Sequence, residues 1–235
     1  MRPSSLNKKT VKPSLQASYK YKSKISKGRR LNQSKKSKNV SINVLRANSN
    51  EEVLKPEILH NCEYLSKCQN LWKIESYSSL SLPKEVLSWA FELCKANVKK
   101  MYEETSGWDE EGKFNEMAHP AAKYIIIKEK DTNKLLAFSH FRFDVDYSEE
   151  LHVIPEERSR GIGKFLLVIL ETLAITYKME KVILTVFKSN TSAIKFYTKN
   201  GYEEDRTSPI GKSYVILSKY VFDGQYMKHC AEIIY

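Results

Sequence analysis

The chain has 235 residues, 41% hydrophobic and 11% aromatic, with 39 Lys plus Arg against 28 Asp plus Glu and a formal charge of +11. That is apolar material for one packed domain plus a tail, and eight Gly with seven Pro exclude a fibrous or low-complexity chain. No apolar run is long enough for a bilayer span, so membrane insertion is not expected.

The charge is uneven. Residues 1–50 hold fourteen of the basic residues and no acid, which leaves 25 Lys plus Arg against 28 acids in the rest, a net of −3. A basic arm is joined to a mildly acidic body. Residues 1–45 are too polar to offset chain entropy by burial and are expected to be disordered. Their two clusters, Lys27-Gly28-Arg29-Arg30 and Lys35-Lys36-Ser37-Lys38, suit nuclear import, a nucleosome or a ribosome; the plainer reading is a solubilising tail. The polar start has no apolar core and does not read as a secretory signal. Cys62, Cys68, Cys94 and Cys230 form no Cys-x-x-Cys pair and no His stands at finger spacing. No metal site is expected, and reduced thiols point to the cytosol or nucleus.

Residues 46–82 read as a connecting segment and 83–235 as the folded domain. After Pro83, Val86, Leu87, Ala90, Phe91 and Leu93 fall at helical spacing, predicting a helix from Lys84 to about Tyr102. Tyr124-Ile125-Ile126-Ile127 and Leu135-Leu136-Ala137-Phe138 flank Asp131-Thr132-Asn133, a hairpin signal. The second strand is expected to run on to Val145, and a short third from Glu150 to Ile154. A helix from Lys164 to about Tyr177, a strand from Lys181 to Phe187, a helix from Thr191 to Lys199 stopped at Asn200-Gly201, and a strand beginning at Ser213 complete the order. This is an α/β layer architecture with a mixed, mostly antiparallel sheet flanked by helices.

Chemistry concentrates in Leu151-His152-Val153-Ile154-Pro155-Glu156-Glu157-Arg158-Ser159-Arg160-Gly161-Ile162-Gly163-Lys164. A strand runs into a glycine loop that opens a helix, so backbone N–H groups and the helix dipole face one concavity, an anion site suited to a diphosphate. Alone, Arg-x-x-Gly-x-Gly is a weak pattern. Val182-Ile183-Leu184-Thr185-Val186-Phe187-Lys188-Ser189-Asn190, then Ala193, Phe196-Tyr197 and Asn200-Gly201-Tyr202 follow it. Together, over residues 122–218, they resemble the GCN5-related N-acetyltransferase superfamily, whose loop holds acetyl-CoA. In that fold the strand before the loop splays from the strand after it, and the pantetheine arm lies in the gap.

A closer resemblance covers nearly the whole body. Trp89-Ala90-Phe91-Glu92-Leu93, Met101-Tyr102-Glu103, the string from Ala137 to Val145 (AFSHFRFDV) and the glycine loop are similar to the N-alpha-acetyltransferase D family. That family acetylates the N-terminal amine of histone H4 and histone 2A, and it too carries a basic N-terminal arm. The resemblance implies Glu150 as the catalytic base, aligned without a gap back from Gly161, and Tyr102, Asp144, Thr185 and Tyr214 as substrate-binding. It implies that the backbone of Leu151, His152, Val153, Ser159, Arg160, Gly161, Ile162, Gly163 and Lys164, with the Asn190 side chain, holds acetyl-CoA. In the wider superfamily the position of Tyr197 protonates the leaving thiolate. By residue type alone, Glu150 reads first as an exposed strand-end acid, and Asp144 equally as a turn initiator.

The chain departs from the family before Glu150, where it is several residues shorter and Tyr147 stands for a missing substrate-side tyrosine. Asp146, Ser148 and Glu149 are poor strand formers there, and a one-residue slip would turn Glu150 to the opposite face. Ser106-Gly107-Trp108 replaces a Trp-Gly-Trp feature. The reading is therefore a monomeric, nuclear and cytoplasmic N-alpha-acetyltransferase using acetyl-CoA on histone tails. The alternatives are the same fold acting on another amine, or an impaired enzyme serving as a basic-armed chromatin or ribosome binder.

Overall fold

The structure is a computed structural model describing residues 42–50, 52–60, 62–68, 70–144 and 150–221. The expectations for residues 1–41 of the arm, for 145–149 with Tyr147, and for 222–235 lie outside the described residues.

The elements in chain order are α1 (42–48), α2 (Pro56–His60), α3 (Glu63–Cys68), β1 (Lys73–Ser78), α4 (Lys84–Glu103), α5 (Glu110–Met117), β2 (Lys123–Lys128), β3 (Leu135–Phe141) and β4 (Glu150–Val153). A 3-10 turn (Pro155–Glu157), α6 (Ile162–Thr176), β5 (Lys181–Phe187), α7 (Thr191–Lys199), β6 (Glu203–Glu204) and β7 (Tyr214–Tyr220) follow. The strands form two sheets, β1-β2-β3-β4 and β5-β7-β6.

Every ladder among the described residues is antiparallel, and helices flank the strands. The crossover β4–α6–β5 joins two sheet edges that share no ladder among the described residues, which is the splay the superfamily resemblance implied. The hairpin turns at Asn133, whose φ of 58° suits an Asn. β3 ends at Phe141, and Arg142, Phe143 and Asp144 are not strand; the expected continuation at Val145 lies outside the described residues. Phe141 faces Lys123, the first residue of β2, and His140 faces Glu150, so beyond Phe141 no strand among the described residues is left to bond.

Helices cover both faces of the first sheet. β2 is buried along its length and alternates, with Tyr124 and Ile126 packed with α4, and Ile125 and Ile127 packed with α6. α6 is apolar nearly all round and sits between the sheets. Its Phe165, Leu166 and Ile169 pack with the first sheet, while Leu167 and Ala174 pack with Val182, Leu184 and Val186 of β5.

Residues 46–82 are folded onto this core. Val53, Leu54, Ile58, Leu65 and Trp72 are buried with α6, the Trp72 ring lying 5.2 Å from that of Phe165, and β1 pairs with β2. The end of α1 is held by the buried Lys123, whose Nζ donates to the carbonyls of Asn48 and Asn50 at 3.2 and 2.9 Å. The arm's last residues, 42–45, therefore lie in a helix. Short two-turn pieces have too few apolar positions to show a period, so α1, α2, α3 and β1 escaped sequence reading. So did α5, which Asp109 caps by accepting from Gly112 N at 2.9 Å.

Candidate active site

β4 places Glu150 and His152 on one face and Leu151 and Val153 on the other. Leu151 and Val153 pack against the α6 side, while His152 packs on Phe138 and reaches Asn97 of α4. Glu150 thus points to the face covered by α4 and α5. Its Oε1 is paired with the ammonium of Lys113. Its Oε2 lies 3.9 Å from Cys94 Sγ, 4.0 Å from His140 Nδ1 and 3.8 Å from His152 Nε2.

Lys113 is 6% exposed. It also meets Glu116 at 3.4 Å and stands 5.9 Å from the centre of the Tyr102 ring. Burial opposes ionisation of Glu150, yet Lys113 first, and His152 and His140 after it, hold the carboxyl well below its ordinary value. Burial lowers Lys113, but Glu150 and Glu116 outweigh it and its pKa is raised. Burial pushes the Cys94 thiol up, with Glu150 adding to the effect, and lowers His140 to about 4. The Tyr102 hydroxyl is pushed up to about 12 by burial. The resting arrangement is a carboxylate clasped by a lysine, ringed by a neutral thiol and a neutral imidazole.

The second sheet meets the end of α4. Tyr102, at the last turn of α4, sets its ring 4.8 Å from Phe187 at the end of β5. Thr185 shares the Phe187 face by strand alternation, and Tyr214 faces Phe187 across the β5–β7 ladder. Tyr102 thus stands between the Lys113–Glu150 pair and this end of the second sheet. Asp144 does not join them by any contact described: it is exposed, past the end of β3, where its charge acts on His119 just beyond α5. Cys94, Glu150 and His152 bring donor atoms within 4.8 Å of one another, a convergence that their sequence spacing does not reveal. Lys113, which the sequence reading passed over, is the dominant partner of Glu150. Nothing local marked it, because the helix around it, Glu-Glu-Gly-Lys-Phe-Asn-Glu-Met, is mostly polar.

The loop before α6 has the conformation an anion asks for. Ser159 and Gly161 have φ of 65° and 86°, and no side chain caps α6. The first intrahelical bond runs from Phe165 N to Gly161 O, which leaves the N–H groups of Ile162, Gly163 and Lys164 directed outward. A Cβ on Gly161 would meet nothing within 4 Å, so the backbone there faces open space. Gly163 serves packing, since a Cβ on it would come within 3.0 Å of the Phe196 ring. β4 and β5, the strands before and after α6, each lie at the edge of their sheet among the described residues. These residues fit a diphosphate with an extended arm.

The loop side chains are engaged elsewhere. Arg160 is paired with Glu157, Lys164 lies 5.3 Å from the Tyr64 ring, and Arg158 turns inward to Asn97. Asn190 caps α7 through its oxygen, accepting from Ala193 N at 3.1 Å, which leaves its NH2 as the end for a ligand. Tyr197 is buried between Phe196 and Tyr202 in the second sheet's core.

Splayed antiparallel sheets, an apolar crossover helix and an uncapped glycine loop together define an acyl-CoA transferase fold. The profile of the Acetyltransferase (GNAT) family matches residues 85–202, and the chain belongs to that family. It is an acetyl-CoA-dependent acetyltransferase. Among solved structures it is similar to an acetyltransferase of the GNAT family from Staphylococcus aureus, at 13% identity and a TM-score of 0.50, over 64% of this chain and all of that one. It is also similar to PaiA N-acetyltransferase from Thermoplasma acidophilum in complex with coenzyme A, at 20% identity and 0.47, over 63% of this chain and 99% of the other. A third, Ard1 from Thermoplasma volcanium, has 15% identity and 0.48, over 65% and 99%.

Proposed function

We propose that the protein transfers acetyl from acetyl-CoA to the N-terminal α-amine of histone H4 and histone 2A, with Glu150 as the base. The observation that carries the reading is the position of Glu150. Its carboxylate already holds an ammonium, that of Lys113, beside Tyr102, at the end of the strand that borders the acetyl-CoA loop.

The chemistry asks mainly for placement. A peptide α-amine has a pKa of about 7.7–8.0, so near neutrality a fair fraction is already uncharged. Acetyl-CoA supplies an activated thioester. Glu150, directly or through water, takes the proton the amine loses on attack, while Tyr102, Thr185 and Tyr214 position the peptide end. Asp144, exposed past the end of β3, suits an Arg close to the start of the tail. Backbone N–H groups of residues 159–164, the edge of β4 at Leu151, His152 and Val153, and Asn190 hold the donor. Tyr197, turned into its own core, is not assigned a role. The acidic body and basic arm favour a monomer in nucleus and cytoplasm whose arm contacts nucleosome or ribosome.

One observation favours a second amine. The pocket's present occupant is a lysine side chain, so a lysine or polyamine ammonium would fit the same carboxylates. Incubation with labelled acetyl-CoA and a Ser-Gly-Arg-Gly-Lys peptide, beside an α-blocked copy, separates the readings. Label only on the free-amine copy is expected; label on both points to lysine, and label on neither to a binding protein. Glu150→Gln is expected to lower kcat about 100-fold or more while acetyl-CoA still binds.

A further inference from the structure

Three links join the loop before α6 to Glu150. Arg158 Nη2 donates to Asn97 Oδ1 at 2.6 Å, Asn97 Nδ2 lies 3.3 Å from His152 Nδ1, and His152 Nε2 lies 3.8 Å from Glu150 Oε2. The first link fixes the sense of the rest. A guanidinium has donors only, so the oxygen of Asn97 faces Arg158 and its NH2 faces His152. Nδ1 must then accept, which puts the ring proton of a neutral His152 on Nε2, the nitrogen next to Glu150. His152 is 7% exposed, and its Nε2 meets no closer partner among the described residues. Its ring is held in plane by Phe138, 5.1 Å away.

We propose that Asn97, oriented by Arg158, is a positioning residue that sets the tautomer of His152, so that the ring N–H of His152 faces Oε2 of Glu150 while Lys113 holds Oε1. The inference rests on the reading of Glu150 as base. It assigns work to a residue on α4 and one in the acetyl-CoA loop, and it ties that loop to the base through three side chains. The other groups facing Glu150 are Lys113 of α5, Cys94 of α4 and His140 of β3, with Glu116, Tyr102, Tyr124 and Arg142 behind them. Among the described residues none of them is a partner of Nδ1 of His152, so Asn97 sets the tautomer from that side.

The direct test is the imidazole nitrogen spectrum of the full chain labelled at its five histidines, with the His152 signals assigned by their loss in His152→Gln. The wild type is expected to show the Nε2–H tautomer. Asn97→Asp has the same shape and still satisfies Arg158, but its second oxygen accepts, so the proton is expected on Nδ1. In that variant kcat should fall about tenfold with KM for acetyl-CoA within about twofold. His152→Gln, whose amide can still donate to Glu150, should keep far more activity than His152→Ala. An Nδ1–H tautomer in the wild type, or an Asn97→Asp variant with unchanged kcat, would overturn the proposal. Full activity in Glu150→Gln would instead strike the reading of the base, and leaves the tautomer result standing on its own.

Discussion

Glu150 and Lys113 are each other's counter-ion in a place where neither is well hydrated. Such a pair gains little net stability when formed, but removing one partner strands the other. Lys113→Met leaves Glu150 and Glu116 facing each other without their shared cation, and should cost about 3 kcal/mol in urea unfolding. The same change releases the Glu150 carboxyl from its low value. In the wild type that carboxylate is charged at all working pH, its ion pair lost only as pH falls below the ordinary carboxylate range. In Lys113→Met the acid limb of kcat/KM should move upward. His140 is a separate case. Buried and neutral, it is held at about 4, so below about pH 6.5 the unfolded chain binds a proton that the folded one refuses. Stability should fall by roughly 3 kcal/mol between pH 6.5 and 4 through this group. Glu116, raised by burial, works in the opposite direction, so the difference between wild type and His140→Gln is what isolates the histidine.

The loop and first turn of α6 form one device with two glycines doing different jobs. Gly161 needs its positive φ and faces open space, so Gly161→Ala should cost only about 1 kcal/mol of stability. Its new methyl stands where the diphosphate is to lie, and the Kd for acetyl-CoA should rise about tenfold or more, read by calorimetry. Gly163→Ala should instead lose about 1–3 kcal/mol by driving its Cβ into Phe196. Shortening that ring in Gly163→Ala/Phe196→Leu should recover most of the loss. No recovery would mean that Gly163 acts on the ligand and not on α7. The contrast shows why a Gly-x-Gly pattern alone is a poor guide: one glycine faces open space, the other a neighbouring helix.

Across the whole molecule, the junction between arm and body is set by packing. Deleting residues 1–41 should leave turnover of a soluble peptide unchanged, while nucleosome binding should weaken in a salt-dependent way. Deleting residues 1–50 takes away the buried Ala47 and two carbonyls that receive Lys123. That longer deletion should lower Tm by several degrees. Equal Tm values for the two truncations would show that α1 contributes nothing to the body.

Long-period and loop-encoded features were legible in the amino-acid order. The spacing of Val86, Leu87, Ala90, Phe91 and Leu93 announced α4, the runs around Asn133 announced the hairpin, and Gly161 announced a turn feeding a helix, because each is a local rule between residues near in sequence. The surroundings of Glu150 are different. Lys113 and Cys94 meet Glu150, and Asn97 meets His152, only because α4 and α5 are laid across that face of the sheet, and no local pattern records which face that is. Sequence therefore determined the elements and the anion loop. Tertiary structure alone decided which groups surround the carboxylate, since charge and proton position depend on distances that chain order does not carry.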